Sequence, residues 1–437
     1  MTVLLSDESR KSCVLWGQWI WGRLSVAGFL KTCSHVRKPF IALLALFFPS
    51  SLGALFAEET PSSTRDVIEG IETSVVRKNR DGKGTTWFHP RGCLLPTDQG
   101  AVALMTLQSI GGSDYFGPVH WSVSADQAKT WSDPQPIPSL GRNPLKDEIE
   151  EGVCDVVPEY HAKTGTVLAM GHNVYYSKGK LFRGDLSRWP VYAVRHADGT
   201  WSAKQKLVWD DPRGSLIYTA NCAQRITLPD GDLLFPISFG SKEKPVRSVT
   251  TFLCGYDGVT VTVKKIGREL HGKAGRGFLE PSLAFLDGVY YMTIRAEDGK
   301  GHVATSKDGL TWSDPIPWAW QNGATLAMSS TQQHWLIHSD ALYLVYTRKS
   351  DVNSKVFRWR IPLYLALVDR KTLRLIPETE RVVFPINGGA YSGNFHPMFL
   401  NAHESLVTDG ECFPANGYKG DQLQARIRWK TPNRLIE

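Results

Sequence analysis

From about Thr85 onward, short apolar runs alternate with tight-turn residues, and extended helix-forming stretches are scarce. Residues 94–100 lead into the apolar run 101–106, residues 226–231 into 232–237, and residues 283–288 into 289–294. Each reads as strand, turn with Asp and Gly, strand, which is the signal of a β-hairpin. The pattern recurs near 94, 168, 228, 286, 340 and 400, about six units. The stretch 58–84 is polar with little periodicity; it is expected to be a linker ending in a ring-closing strand at 73–76. Nothing marks a second domain or a low-complexity tract.

A second regularity fixes the kind of repeat. Ser124-Ala125-Asp126-Gln127-Ala128-Lys129-Thr130-Trp131 and Ser306-Lys307-Asp308-Gly309-Leu310-Thr311-Trp312 are both Ser-x-Asp turns that run into Thr-Trp and continue Ser-Asp-Pro. A weaker copy, His196-Ala197-Asp198-Gly199-Thr200-Trp201, lies between them, so the three Trp stand 70 and then 111 residues apart. An Asp tolerates tight-turn backbone and folds its carboxylate onto nearby N–H groups, while the Trp fills the gap beside it. Repeats of roughly 50–70 residues built from short strands predict a β-propeller. The 15 Trp and 39 Gly fit such strands and turns, and the 437 residues are then used as one closed ring.

Charge narrows the partners. The net charge is +7, of which residues 1–57 hold +4, so the body of the chain carries only a mild surplus. No basic run with interleaved aromatics occurs, and nucleic acid is not an expected partner. Residues 1–57 have the form of an export signal: Arg37 and Lys38, the nine-residue apolar core 40–48, then small residues up to Ala57 before Glu58-Glu59. The core is too short to span a bilayer comfortably, so cleavage and a periplasmic or extracellular location are expected; a retained leader would instead act as a membrane anchor. Five Cys remain after residue 58, with neither CxxC nor metal-ligand spacing, and read as buried thiols with room for one disulfide. Asp155, Glu159 and His161 alternate along one strand, expected to line a pocket or form salt bridges. No metal site and no cofactor is expected.

The Ser-x-Asp turns resemble the Asp-box, or BNR, repeat of sialidases. The resemblance implies an all-β, six-bladed β-propeller over residues 85–437 and an exo-acting retaining glycoside hydrolase cleaving a terminal sialic acid or related acidic sugar. In that chemistry arginines hold the sugar carboxylate through planar bidentate pairs. A Tyr replaces the usual carboxylate nucleophile, which the substrate's own charge would repel.

Carried over residue by residue, the resemblance assigns Arg91, in Phe88-His89-Pro90-Arg91, as the first carboxylate clamp. The usual motif is only partly matched there. Asp114, 23 residues on, takes the place of the acid that protonates the leaving oxygen. Glu280, before a hairpin that ends at Arg295, is the base for the nucleophile, and Arg295 is the second clamp. Arg360 fits the third clamp best, with Arg348 and Arg358 as alternatives. Tyr391, in Gly388-Gly389-Ala390-Tyr391-Ser392, is the nucleophile; the following Gly393-Asn394-Phe395-His396 departs from the family's apolar strand. Arg225, at the start of the third hairpin, is expected to reach the same central mouth. Asp126 and Asp308 are expected to be structural. Two alternatives stand beside this reading: a hydrolase or lyase acting on another carboxylated sugar, and a non-catalytic carbohydrate-binding propeller.

Overall fold

A computed structural model describes residues 65–436, Gln99 and Gly393 excepted. The export leader expected at 1–57 and the first part of the linker lie outside the described residues. From residue 65 the chain forms six antiparallel sheets, one after another, and among the described residues the only helical elements are short 3-10 turns. In blade one the order outward from the axis is Trp87–Thr97, Gly100–Gly112, Tyr115–Ser124 and Gln135–Pro136. The innermost strands of blades two, four, five and six are Ile149–His161, Leu279–Leu286, His334–His338 and His396–Asn401. In blade three the innermost strand is broken into Ile217–Thr219 and Ile226–Thr227. The six hairpins legible in the sequence join the first and second strands of the six blades.

The ring is closed by pairing between its two ends. Ile68–Arg77 runs antiparallel to Gln422–Trp429, with Thr73 opposite Ala425, and becomes the outer strand of blade six. Arg77 ties the closing strand across the seam, donating to Gln422 Oε1 at 2.6 Å and to Ser122 Oγ of blade one at 2.9 Å. Just before it, the Tyr343 hydroxyl of blade five donates to Asp66 at 2.8 Å and accepts from the Val67 N–H at 2.8 Å.

The core lies between blades rather than in a single centre. One apolar cluster joins Tyr192 and Leu168 of blade two to Phe235 and Phe252 of blade three; another joins Tyr291 and Val303 of blade four to Leu344 and Tyr364 of blade five. Strands covered on both faces read as continuous apolar runs, and Ala341–Tyr346 is buried at every position.

The Ser-x-Asp turns join the third and fourth strands of blades one, two and four, at the end of the ring away from the mouth described below. The Asp308 carboxylate accepts from Ser306 Oγ, the N–H groups of Leu310 and Thr311, and Thr311 Oγ1. Asp126 accepts the matching set from Ser124, Lys129 and Thr130. Each turn's Trp leans on the preceding blade. Trp312 donates from Nε1 to Thr251 Oγ1 of blade three at 3.0 Å, Trp131 donates to Gln424 of blade six at 3.1 Å, and Trp201 lies 6.3 Å from Trp121 of blade one. All five Cys in the described residues are buried and free, so the disulfide allowed for in the sequence is not formed. No helix among the described residues is long and apolar enough to cross a membrane.

Trp312 is fully buried, whereas Trp131 is only half-buried. Trp312→Ala is therefore expected to destabilise the ring by about 3–5 kcal/mol and Trp131→Ala by clearly less, which denaturant unfolding of the two variants would measure.

Candidate active site

Because the six innermost strands run in parallel around the axis, their starting ends meet at one mouth of the central channel. The ladder is disturbed at these starts. Register shifts separate Phe88 from Arg91, Cys154 from Val157 and Leu279 from Ser282, and His89, Asp155 and Glu280 inside them have φ of 52°, 58° and 42°. Asn221, in the break of blade three's inner strand, has φ of 48°. A bulge with left-handed backbone swings its side chain out of the strand's alternation. The result is a polar rim with one residue from each blade: His89, Asp155, Asn221, Glu280, Gln332 and Asn394, all lining a cavity of about 380 Å³.

Seven arginines line the same cavity, Arg183, Arg188, Arg247, Arg276, Arg295, Arg358 and Arg360, against three carboxylates, Asp114, Asp155 and Glu280. Arg295 donates to Glu280 Oε1 at 2.5 Å and to Ser330 Oγ at 3.2 Å, and Arg358 donates to the Ser330 carbonyl at 2.7 Å, so one serine anchors both guanidinium groups. Arg360 is buried, donates to the Ser392 carbonyl at 3.4 Å and leaves Nε without a partner. Burial lowers the Glu280 acid strength, but the Arg295 guanidinium outweighs it and holds the carboxyl below its ordinary pKa. Burial, with Arg360 and Arg295 alongside, pushes the Arg358 guanidinium down to about 10. The mouth thus holds charged arginines against solvation and against one another, the electrostatic signature of a site for an anion.

The residues assigned from the sequence divide into two groups. Asp114, Glu280, Arg295 and Arg360 all line the cavity. Asp114 occupies the turn between the second and third strands of blade one, half exposed, 3.7 Å from Arg183. Arg358 lines the cavity beside Arg360, but Arg348 does not, since its fork is taken by Glu380 at 2.7 and 2.8 Å. Three residues fall elsewhere. Arg91 is 0% exposed and lies beneath the floor, bonded to Asp155 at 2.7 Å, because the bulge turns His89 rather than Arg91 into the mouth. Arg225 lines a different cavity, of about 630 Å³, at the far end of the channel, where it pairs with Glu159 at 3.1 Å. Tyr391 does not line the mouth. Its ring lies 5.8 Å from the Arg360 guanidinium carbon, its hydroxyl meets the Cys412 thiol, and no contact joins it to Glu280.

The expected shared face of Asp155, Glu159 and His161 is also lost to the bulge. Asp155 faces the mouth, Glu159 the far cavity, and His161 bonds the Gly231 carbonyl at 2.8 Å. Cys154, Asp155 and His172 do bring one ligand atom each to within 4.8 Å of one another, but the Arg91 guanidinium already supplies the positive charge beside Asp155. Sequence reasoning missed His89, Asn221, Gln332, Asn394, Arg183, Arg188, Arg247 and Arg276, residues with no motif of their own; His89, Asn221, Gln332 and Asn394 lie in or just before inner strands, whereas Arg188 and Arg247 stand just before third strands.

Comparison with solved structures shows what the architecture is similar to. The chain aligns with a Hadza microbial sialidase at 17% identity and a TM-score of 0.55, covering 82% of this chain and 68% of that one. It aligns with Trypanosoma rangeli sialidase in complex with the inhibitor DANA at 14% identity and a TM-score of 0.57, covering 82% and 60%. With the NanB sialidase of Streptococcus pneumoniae the values are 14% and 0.55, covering 83% and 71%. No protein-family model and no curated protein matches the chain. The fold is a six-bladed β-propeller of the sialidase type, and this chain spans about three fifths of the trypanosome structure's length.

Four buried histidines at and below the mouth give a pH test. Burial drives His89 and His396 down to about 3, His172 to about 4 and His334 well below its ordinary value, with the neighbouring arginines opposing protonation and Asp155 partly offsetting them at His89, His172 and His334. The unfolded chain takes up these protons near pH 6.5, while the folded ring resists them until far lower. Stability from this source is therefore complete above about pH 6.5 and falls as pH drops toward 4. The unfolding midpoint is expected to decline between pH 7 and 5, above the range where carboxylates titrate, and to decline less steeply in His396→Gln.

Proposed function

We propose that the protein is a glycoside hydrolase of the sialidase type that removes a terminal acidic sugar. The observation that carries this reading is the mouth itself, where Arg295, Arg358 and Arg360 converge beside Glu280 with Asp114 on the solvent side. A planar carboxylate can take bidentate pairs from such forks, which fixes the sugar's orientation as well as its charge. Trypanosoma rangeli sialidase, of similar fold, has been solved with sialic acid and, as a covalent intermediate, with 2,3-difluorosialic acid.

In this reading Tyr391 must first turn from Cys412 into the mouth; its Oη then attacks the anomeric carbon and gives its proton to Glu280. The glycosidic C–O bond breaks with its electron pair on the leaving oxygen, which Asp114 protonates; water, deprotonated by Asp114, then attacks the anomeric carbon, and the bond to the tyrosine oxygen breaks as Glu280 returns its proton to that oxygen. A substrate carboxylate on Arg295 would compete with Glu280 for that guanidinium and so loosen the base. A second reading, a hydrolase or lyase for a different carboxylated sugar, is favoured by two specific features. His89 occupies the place on the rim where the sialidase reading calls for an arginine, and Tyr391 is turned toward Cys412. We also propose export, with the mature chain starting near Glu58, which N-terminal sequencing of secreted protein would test.

Release of fluorophore from an aryl α-N-acetylneuraminide is the direct assay. Tyr391→Phe and Arg360→Ala are each expected to lower kcat/KM by about 10³-fold or more in a folded protein. Asp114→Asn should lose about 10²–10⁴-fold on an alkyl glycoside but much less on the aryl one, whose leaving group needs no proton. Undiminished turnover in Tyr391→Phe would remove that residue from the chemistry, and no turnover by the unaltered protein would favour the second reading.

A further inference from the structure

The carboxylate forks account for only one side of the mouth. Arg188 comes from blade two, just before its strand Pro190–Arg195, and Arg247 from blade three, just before Ser248–Tyr256. Arg276 precedes the inner strand of blade four. Arg358 and Arg360 come from blade five and Arg295 from blade four, so in a ring of six Arg188 and Arg247 approach the mouth across from Arg358 and Arg360, with Arg276 and Arg295 of blade four between them. Arg188 and Arg247 have neither a side-chain hydrogen bond nor an ion pair to any described residue, although both line the cavity. Arg276 is held by Glu297 through Nε and Nη2, at 2.9 and 2.5 Å. Glu280, whose charge bears on Arg247, is committed to Arg295.

An unpaired guanidinium in a half-buried setting is an unfavourable arrangement unless something else supplies the counter-charge. The strain is visible at Arg247, which burial, with Arg276 and Arg188 alongside, brings down to about 10. One carboxylate cannot satisfy both sides. Its two oxygens accept about four hydrogen bonds, and the forks of Arg295, Arg358 and Arg360 already exceed that.

We propose that the saccharide bound in this mouth carries a second anionic group, a sulfate ester or a further carboxylate, held by Arg188, Arg247 and Arg276 opposite the carboxylate forks. The inference rests on the acidic-sugar reading above and narrows it to a polyanionic substrate. Arg188 and Arg247 supply free donors, and Arg276, already fixed by Glu297, adds its charge and limits how far the group can move. The second anion would also orient the sugar, since two charged anchors on opposite walls leave one lengthwise register.

The test is calorimetric titration of the intact protein with three probes: sialyllactose with one carboxylate, α2,8-linked disialic acid with two, and a 6-sulfated sialyllactose with carboxylate and sulfate. At least one dianionic probe is expected to bind about tenfold or more tightly than sialyllactose, with a steeper loss of affinity as salt is raised. Which of the two does so identifies the second anion. In Arg247→Gln and, independently, Arg188→Gln, each checked by a cooperative melt, the preference should shrink to about twofold or less. Dianionic probes that bind no more tightly than sialyllactose, or a preference that survives in both variants, overturns the proposal. Arg360→Ala reads the first anchor separately. If that variant binds sialyllactose as well as the unaltered protein does, the carboxylate-fork reading fails, whatever happens at Arg188 and Arg247.

Discussion

Ile68–Arg77 is a strand from the start of the described chain that completes a sheet made by the chain's last forty or so residues, and the mouth depends on that pairing. A propeller blade has no core of its own; it buries its faces only against the blades on either side. Six such blades in an open row would leave two apolar blade faces exposed, one at each end. Antiparallel pairing with Gln422–Trp429 and the Arg77 bridge to blade one remove both ends at once. Every residue of the rim comes from a different blade, so their mutual positions exist only while the circle is closed.

Within that circle the chemistry sits where the sheet is least regular. His89, Asp155, Asn221 and Glu280 hold left-handed backbone where four neighbouring inner strands are bulged or broken. Such backbone costs of order 1–3 kcal/mol per residue and persists because the strands beyond it are locked between blades. The return is direction. A regular ladder would send alternate side chains into the blade interfaces, whereas a bulge turns one polar group per blade toward the axis.

The same geometry sets the charge of the mouth. Seven guanidinium groups from blades two to five and their connecting loops face three carboxylates across a small cavity. Some are anchored by carbonyls and serines, Arg358 and Arg360 among them, and others, Arg188 and Arg247, by no polar side-chain partner among the described residues. Preorganised positive charge in a partly water-excluded space is worth far more to an anionic ligand than the same arginines would be on an open surface. At the other end of the channel Arg225 and Glu159 neutralise each other, so the two openings differ in charge as well as in size.

Local rules were enough to read the architecture from the sequence. Alternating apolar runs, turns with Asp and Gly and the repeated Ser-x-Asp turns each depend on contacts within a few residues, so strands, hairpins and the count of six blades were legible. Glu280 and Arg295 were legible too, because a single hairpin brings them together, Arg295 lying opposite Leu279 with Glu280 next to it. What tertiary structure alone decided is which side chains face the axis. Arg91 and His89 stand two residues apart, and a bulge that no local pattern announces puts His89 in the mouth and Arg91 beneath it. Arg225 lies at the far end of the channel because blade three's inner strand is broken and Asn221 takes the mouth instead, and Tyr391 packs with Cys412, to which its backbone is bridged. Arg188 and Arg247 had no signal at all, since nothing in their neighbours reveals that closing a ring of six blades will bring them together. Strand and turn formation is written in short-range spacing, while convergence at an axis depends on bulges and ring closure that only the assembled sheets fix.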